Sequence, residues 1–146
     1  MTVLVKNKKA TYNYHIEDKI EAGLVLSGHE VKSLRSKKAS LFGAFVSVKN
    51  GEAFLLNCNI SPYQAKNVDA SYNPRRERKL LLRKKEINNL IGKTKEKGVT
   101  LIPISIYTKK NFIKLEVAIA RGKKKHDKRD AIKKRDIDRE IKRRLK

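Results

Sequence analysis

Residues 14–35 read YHIEDKIEAGLVLSGHEVKSLR. Tyr14, Ile16, Asp18, Ile20, Ala22, Leu24 and Leu26 alternate, with Glu17, Lys19 and Glu21 between them. A period of two predicts one long strand, bent at Gly23. Ser27-Gly28-His29-Glu30 then has the S-x-x-E spacing of a capping box, in which hydroxyl and carboxylate satisfy the free N–H groups of a helix start. Val31 and Leu34, three apart, give that short helix its apolar side, and it ends near Arg35.

The regions on either side extend the pattern. Ala44, Val46 and Val48 alternate, Asn50-Gly51 follows, and Phe54, Leu56 and Cys58 alternate again. Asn-Gly between two such runs predicts a hairpin, because both residues tolerate positive φ. Pro62 ends the second run. Residues 61–79, rich in Ser, Pro, Asn and Asp, read as a long loop closed by Arg75-Arg76-Glu77-Arg78-Lys79. From Leu80 to Lys97 the spacing is helical, with Ile87, Leu90 and Ile91 on one side and Gly98 after the last turn. Ile102, Ile104 and Ile106 alternate, Lys109-Lys110-Asn111 turns the chain, and Ile113, Leu115, Val117 and Ile119 alternate in a last strand. Pro103 predicts an edge position or a bulge. Five or six short strands with a helix inserted late predict a mainly β domain. The expected form is an OB-fold-like antiparallel barrel with two or three short helices and a basic C-terminal tail.

The 146 residues carry 37 Lys+Arg against 15 Asp+Glu, a formal charge of +22. Residues 121–146 hold fourteen of the basic residues and five of the acidic ones, a net +9, with only Ala131, Ile132, Ile137, Ile141 and Leu145 apolar. The domain division that follows is a globular body over 1–120 and a basic tail over 121–146. The tail has too little apolar surface for a core of its own. Its Ile137, Ile141 and Leu145 recur every four residues, which predicts a tail that is disordered when free and helical in a narrow anionic path. No apolar run approaches the length of a spanning helix, and residues 1–10 lack the apolar stretch of a signal peptide. Cys58 is the single cysteine, so no internal disulfide forms, and a reducing cytoplasmic location is expected.

A field of this sign selects an anionic partner, and nucleic acid fits best. Three basic stretches carry it: one around Lys6, Lys8 and Lys9, one from Arg75 to Lys85, and residues 121–135. Tyr14 and Tyr107 suit core and stacking positions equally. Catalysis finds little support. His15, His29 and His126 lack zinc-site spacing, and Gly122-Lys123 lacks the upstream glycine of a phosphate loop. His126-Asp127 lies among lysines, with no apolar wall to exclude water. We expect no enzyme activity, no metal and no cofactor.

Several strings occur together in order: NKKA at 7–10, EAGLVLSGHEVKSLR at 21–35, GE at 51–52, RKLLL at 78–82 and GKKKHDKR at 122–129. They resemble those of the small protein B family, the SsrA-binding proteins of bacteria. The resemblance implies an OB-like barrel that binds transfer-messenger RNA at its tRNA-like domain. It also implies delivery of that RNA, together with elongation factor Tu, to stalled ribosomes for trans-translation. By the same resemblance Asn7, Glu21, Arg35, Lys79 and Leu81 belong to the RNA-binding face. Gly122, Lys123, Lys124, His126, Asp127, Lys128 and Arg129 meet the small-subunit (16S) rRNA at the decoding centre, with His126 stacking on a base. Ile137, Ile141 and Leu145 lie in the mRNA channel. Without the resemblance, Glu21 reads as an ordinary strand-surface carboxylate and Leu81 as core. The protein is expected to act as a monomer with no membrane partner. An integral ribosomal protein or another basic RNA-binding module would have the same composition.

Overall fold

The structure, a computed structural model, describes residues 1–63 and 71–123 (Thr11 in its backbone only) together with Arg135, Ile137 and Arg139 of the tail. Among the described residues, nine strands and three helices follow one another. They are β1 (Thr2–Lys6), α1 (Ala10–Asn13), β2 (Tyr14–Leu24), α2 (Gly28–Arg35), β3 (Ala39–Ser40) and β4 (Phe45–Lys49). Then come β5 (Glu52–Leu56), β6 (Asn59–Ile60), β7 (Arg78–Leu81), α3 (Lys84–Thr94), β8 (Val99–Lys109) and β9 (Phe112–Gly122). Seven strands form one antiparallel sheet in the order β1-β8-β9-β2-β7-β5-β4, and β3 and β6 form a separate two-stranded ribbon.

The capped helix ending at Arg35 and both hairpins are as the sequence predicts. The strand over 14–24 forms too, but its alternation is broken: the register of β2 to β9 shifts between Ile16 and Asp18, so Tyr14 and Ile16 pack with Ile102, Ala118 and Ala120, while Ile20, Ala22 and Leu24 pack with the main core. Ser27 and Glu30 make the reciprocal capping-box bonds. Asn50 and Gly51, and likewise Lys110 and Asn111, have positive φ at the two central positions of tight hairpins. Gly98, with φ of +81°, turns the chain from α3 into β8.

Closure of the barrel differs from expectation. The hydrogen-bonded order ends at β1 and β4, with no pairing between these two among the described residues. β4 packs near β8, but β8 already pairs β1 on one side and β9 on the other, so no free edge awaits it there. The sequence reading also missed β1, whose partner lies about a hundred residues away, and β9 carries the body past Ala120 to Gly122.

Two further findings concern phase, the first a correction and the second a choice between the two expected alternatives. Leu80 and Leu81 are strand residues of β7, and the helix starts only at Lys84. Pro103 marks a bulge rather than an edge, since β8 is paired on both sides and its register to β9 shifts between Pro103 and Ser105. The extra residue reverses the side-chain phase. Ile106 therefore joins the main core with Leu101, Leu115, Val117 and Ile119, while Ile102 and Ile104 fall in a second apolar cluster with Ala118 and Ala120. Ala10 of α1 packs into that second cluster, so α1 covers one end of the sheet's outer face. Asn57, at φ +59°, makes a similar phase change after β5: Ala53 and Leu55 face inward, and so does Cys58 beyond it.

Candidate nucleic-acid interface

The antiparallel registers line up residues across the sheet. Tyr107 of β8 stands opposite Lys114 of β9, Lys114 opposite Gly23 of β2, and Gly23 opposite Leu81 of β7. The neighbouring row runs from Ser105 through Glu116 to Glu21. Directly opposed residues share a face, so the outer face presents a compact set of charged and apolar side chains. Beside it lies a groove of about 940 Å³, closed on its far side by the β4–β5 turn and the start of α3. Glu21, Lys79 and Leu81 all line it, with Lys19, Arg83 and Lys114.

Three of the five residues expected on the RNA face thus meet in one place, although Glu21 lies in a string far from the one that holds Lys79 and Leu81. Leu81 is 55% exposed, which an ordinary core leucine is not. Lys79 pairs with Glu52 at 3.3 Å, and both side chains are about half exposed. The Tyr107 hydroxyl donates to Glu21 Oε2 at 2.5 Å, and Lys109 Nζ approaches both carboxylate oxygens at 3.5 Å. The tyrosine hydrogen bond and then the Lys109 charge hold the Glu21 carboxyl below its usual range. Burial and the same hydrogen bond raise the Tyr107 hydroxyl. Glu21 is therefore an ionised, oriented acceptor in a basic groove, suited to base amino groups or a 2′-hydroxyl.

Lys114, Lys19 and Tyr107 were absent from the sequence-based site. A signal for Lys114 was available: if Ile113, Leu115 and Val117 face inward, Phe112, Lys114 and Glu116 face outward.

Asn7 and Arg35 lie elsewhere. The Asn7 backbone N–H donates to the Ile104 carbonyl at 2.8 Å, and its side-chain amide donates to the Pro103 carbonyl at 2.9 Å. Asn7 thereby ties down the β8 bulge, between two clefts that it shares with Lys9 and the exposed Phe42. Arg35 is exposed at the end of α2.

One basic stretch changes meaning. Arg78 is fully buried and faces away from the groove. Its Nε and Nη2 donate to Glu30 Oε2 at 3.0 and 2.6 Å, and its Nη1 donates to the Cys58 carbonyl at 2.6 Å. Glu30, also fully buried, accepts further bonds from Arg76 and from the Tyr72 hydroxyl. Burial alone would raise the Glu30 carboxyl, but the bonds from Arg76, Ser27 and Arg78 bring it down to about 2. Burial pushes the Cys58 thiol up to about 11. Arg78 is thus an internal clamp between β7, α2 and the start of β6.

The root of the tail is fixed to the body. Tyr14 pairs with Gly122, and the Lys123 N–H donates to the Asn13 carbonyl at 2.9 Å. Arg121 bonds Glu17, Glu96 and the Lys97 carbonyl. Arg135, Ile137 and Arg139 are helical; Ile137 is 58% exposed, and the Arg135 guanidinium lies 5.6 Å from the Tyr12 ring centre. Lys124, His126, Asp127, Lys128, Arg129, Ile141 and Leu145 lie outside the described residues.

The family model described as "SmpB protein" matches residues 4–146. The chain belongs to the SmpB protein family. An SsrA-binding protein of Acetivibrio thermocellus is 52% identical over 144 residues, 99% of this chain and 93% of that relative. Another, from Enterococcus faecalis, is 47% identical over the same shares of each chain. Among solved structures, a chain described in "tmRNA-SmpB: a journey to the center of the bacterial ribosome" is 41% identical. It matches 90% of this chain and 95% of its own length, with a TM-score of 0.70. The SmpB fold is thus shared over nearly the whole chain, and no described helix is long and apolar enough to cross a membrane.

Proposed function

We propose that this chain is an RNA-binding adaptor of ribosome rescue. It binds the tRNA-like domain of transfer-messenger RNA and, with elongation factor Tu joined through that RNA, carries it to stalled ribosomes for trans-translation. The body, with its seven-stranded antiparallel sheet, holds the RNA. Gly122 and Lys123 lead the basic segment containing Lys124, His126, Asp127, Lys128 and Arg129 to the 16S rRNA of the decoding centre. The helix bearing Ile137, Ile141 and Leu145 enters the mRNA channel.

One observation carries the reading: Glu21 of the EAG string and Lys79 and Leu81 of the RKLLL string converge on one groove among Lys19, Arg83 and Lys114. Membership of the SmpB family and the likeness to a chain from a ribosome complex support it. Lys and Arg around the groove supply affinity for phosphate, while an ionised carboxylate supplies selectivity. The chemistry asked of the chain is recognition alone, with no step requiring a nucleophile.

Binding isotherms with a tRNA-like RNA, beside a thermal melt, test this for Glu21→Arg. The reading expects weaker binding by a folded protein. A purely electrostatic surface predicts the opposite, since the change removes a negative charge and adds a positive one. Tighter binding to the tRNA-like RNA by the variant overturns the assignment. Identification of the RNAs that copurify with the protein checks the partner itself.

A further inference from the structure

Phe112 opens β9 just beyond the turn Lys110-Asn111, and 67% of it is exposed. Exposure of a whole phenyl ring forfeits the stabilisation that burial would bring. Its cross-strand partner is Lys109, whose ammonium turns toward Glu21. Lys114 Nζ lies 5.7 Å from the ring centre. Phe112 and Lys114 are two residues apart on one strand, so they share the outer face about 7 Å apart. Lys114 also lines the groove that holds Glu21 and Leu81. The ring thus extends that groove by one side-chain position, with the Lys114 ammonium beside it and Lys109 opposite it in the ladder.

We propose that Phe112 is a stacking platform for an unpaired base of the RNA that occupies the groove. This rests on the RNA-binding reading above and adds the class of nucleotide the hairpin tip selects. An aromatic face flanked by lysines offers what a single-stranded nucleotide needs, a surface for the base and cations for the phosphates beside it. Paired bases within an A-form helix present no free face, so the contact selects a loop or a strand end over a duplex. Glu21 then reads polar edges further along the groove, while Lys114 is placed to serve a phosphate between the two.

The test uses the full chain with two RNA probes, a tRNA-shaped RNA with unpaired loop bases and a blunt duplex of equal length. Phe112→Ala should weaken binding to the tRNA-shaped RNA by about 5- to 150-fold, the range for loss of one stacked base, and leave duplex binding within twofold. Phe112→Leu keeps apolar bulk without the aromatic face and should lose about as much. Phe112→Trp should retain affinity. Because the chain has no tryptophan, that variant also carries a single indole, whose fluorescence should be quenched by the tRNA-shaped RNA and not by the duplex. Wild-type affinity in the alanine or leucine variant, equal losses on both probes, or an indole indifferent to RNA would each overturn the proposal while leaving the groove reading standing. Failure of the wild-type protein to prefer the tRNA-shaped RNA would overturn both.

Discussion

Leu81 lies over Gly23 across the β2–β7 ladder, so closely that a β-carbon on Gly23 would stand 3.2 Å from Leu81 Cβ and 3.4 Å from its Cδ1. The glycine of the EAG string and the second leucine of the RKLLL string are thus two halves of one contact. The absence of a side chain at position 23 sets the height at which Leu81 stands in the groove. Gly23→Ala should lift Leu81 by a few tenths of an ångström. Replacing a strand glycine by alanine recovers roughly 0.5–1 kcal/mol of backbone entropy, which offsets the crowding. We expect a melting temperature within a few degrees of wild type and RNA affinity reduced several-fold, as read by a melt and an isotherm on one preparation.

Tyr107→Phe removes the donor that does most to hold the Glu21 carboxyl low. The titration of Glu21, followed by the carbon shift of its carboxyl, should move up toward the ordinary range, with Lys109 retaining part of the effect. Affinity for the tRNA-like RNA should fall at neutral pH, because the carboxylate loses its orientation while keeping its charge. An unmoved Glu21 titration would show that the hydroxyl does not govern it.

The Glu30–Arg78 clamp predicts acid sensitivity of a defined sign. The Glu30 carboxyl titrates at about 2 when folded and at an ordinary 4.5 when unfolded. The unfolded chain therefore binds the proton first as pH falls. The stabilisation is complete above about 4.5 and is lost between there and about 2, on the order of 3 kcal/mol in all. Urea midpoints at pH 6 and pH 3 should show this, and the difference should shrink in Glu30→Met/Arg78→Met, which removes both charges. Glu30→Gln alone should cost about 3–5 kcal/mol at pH 6, because it strands a buried guanidinium.

Removal of residues 130–146 should leave affinity for the tRNA-like RNA within a few-fold, since the groove lies wholly in the body. Neutralising about six phosphates on RNA should give a slope of roughly −4 to −5 for log K against log[salt]. A slope near zero would deny the electrostatic share. The same truncation should abolish peptide tagging on stalled ribosomes, and normal tagging by the truncated protein would remove the tail from the mechanism. Hydrogen exchange across 132–145 in the free and ribosome-bound protein reports whether the helix seen at Arg135, Ile137 and Arg139 persists without the ribosome.

Much of this protein is local in its chain and therefore legible there. The capping box of Ser27 and Glu30, the Asn50-Gly51 turn and the charge of +22 need no distant partner to be read. The family strings named Glu21, Lys79 and Leu81 for the same reason. Local reading failed where two choices are locally equivalent. Arg78-Lys79-Leu80-Leu81 alternates whichever way it faces, and the parity is set by pairing with β5 and β2, and by Glu30, 48 positions earlier. That pairing buries the arginine and exposes the leucine, the reverse of what hydropathy suggests. It also claims Leu80 and Leu81 for a strand, although they sit at helical spacing. The β8 bulge likewise depends on register with β9, and one inserted residue moved Ile106 to the opposite face from Ile104. Charge and turns were written in the chain; which side of each strand faces the core and which lines the groove was decided by long-range register, because a period of two has no inside until a second strand supplies one.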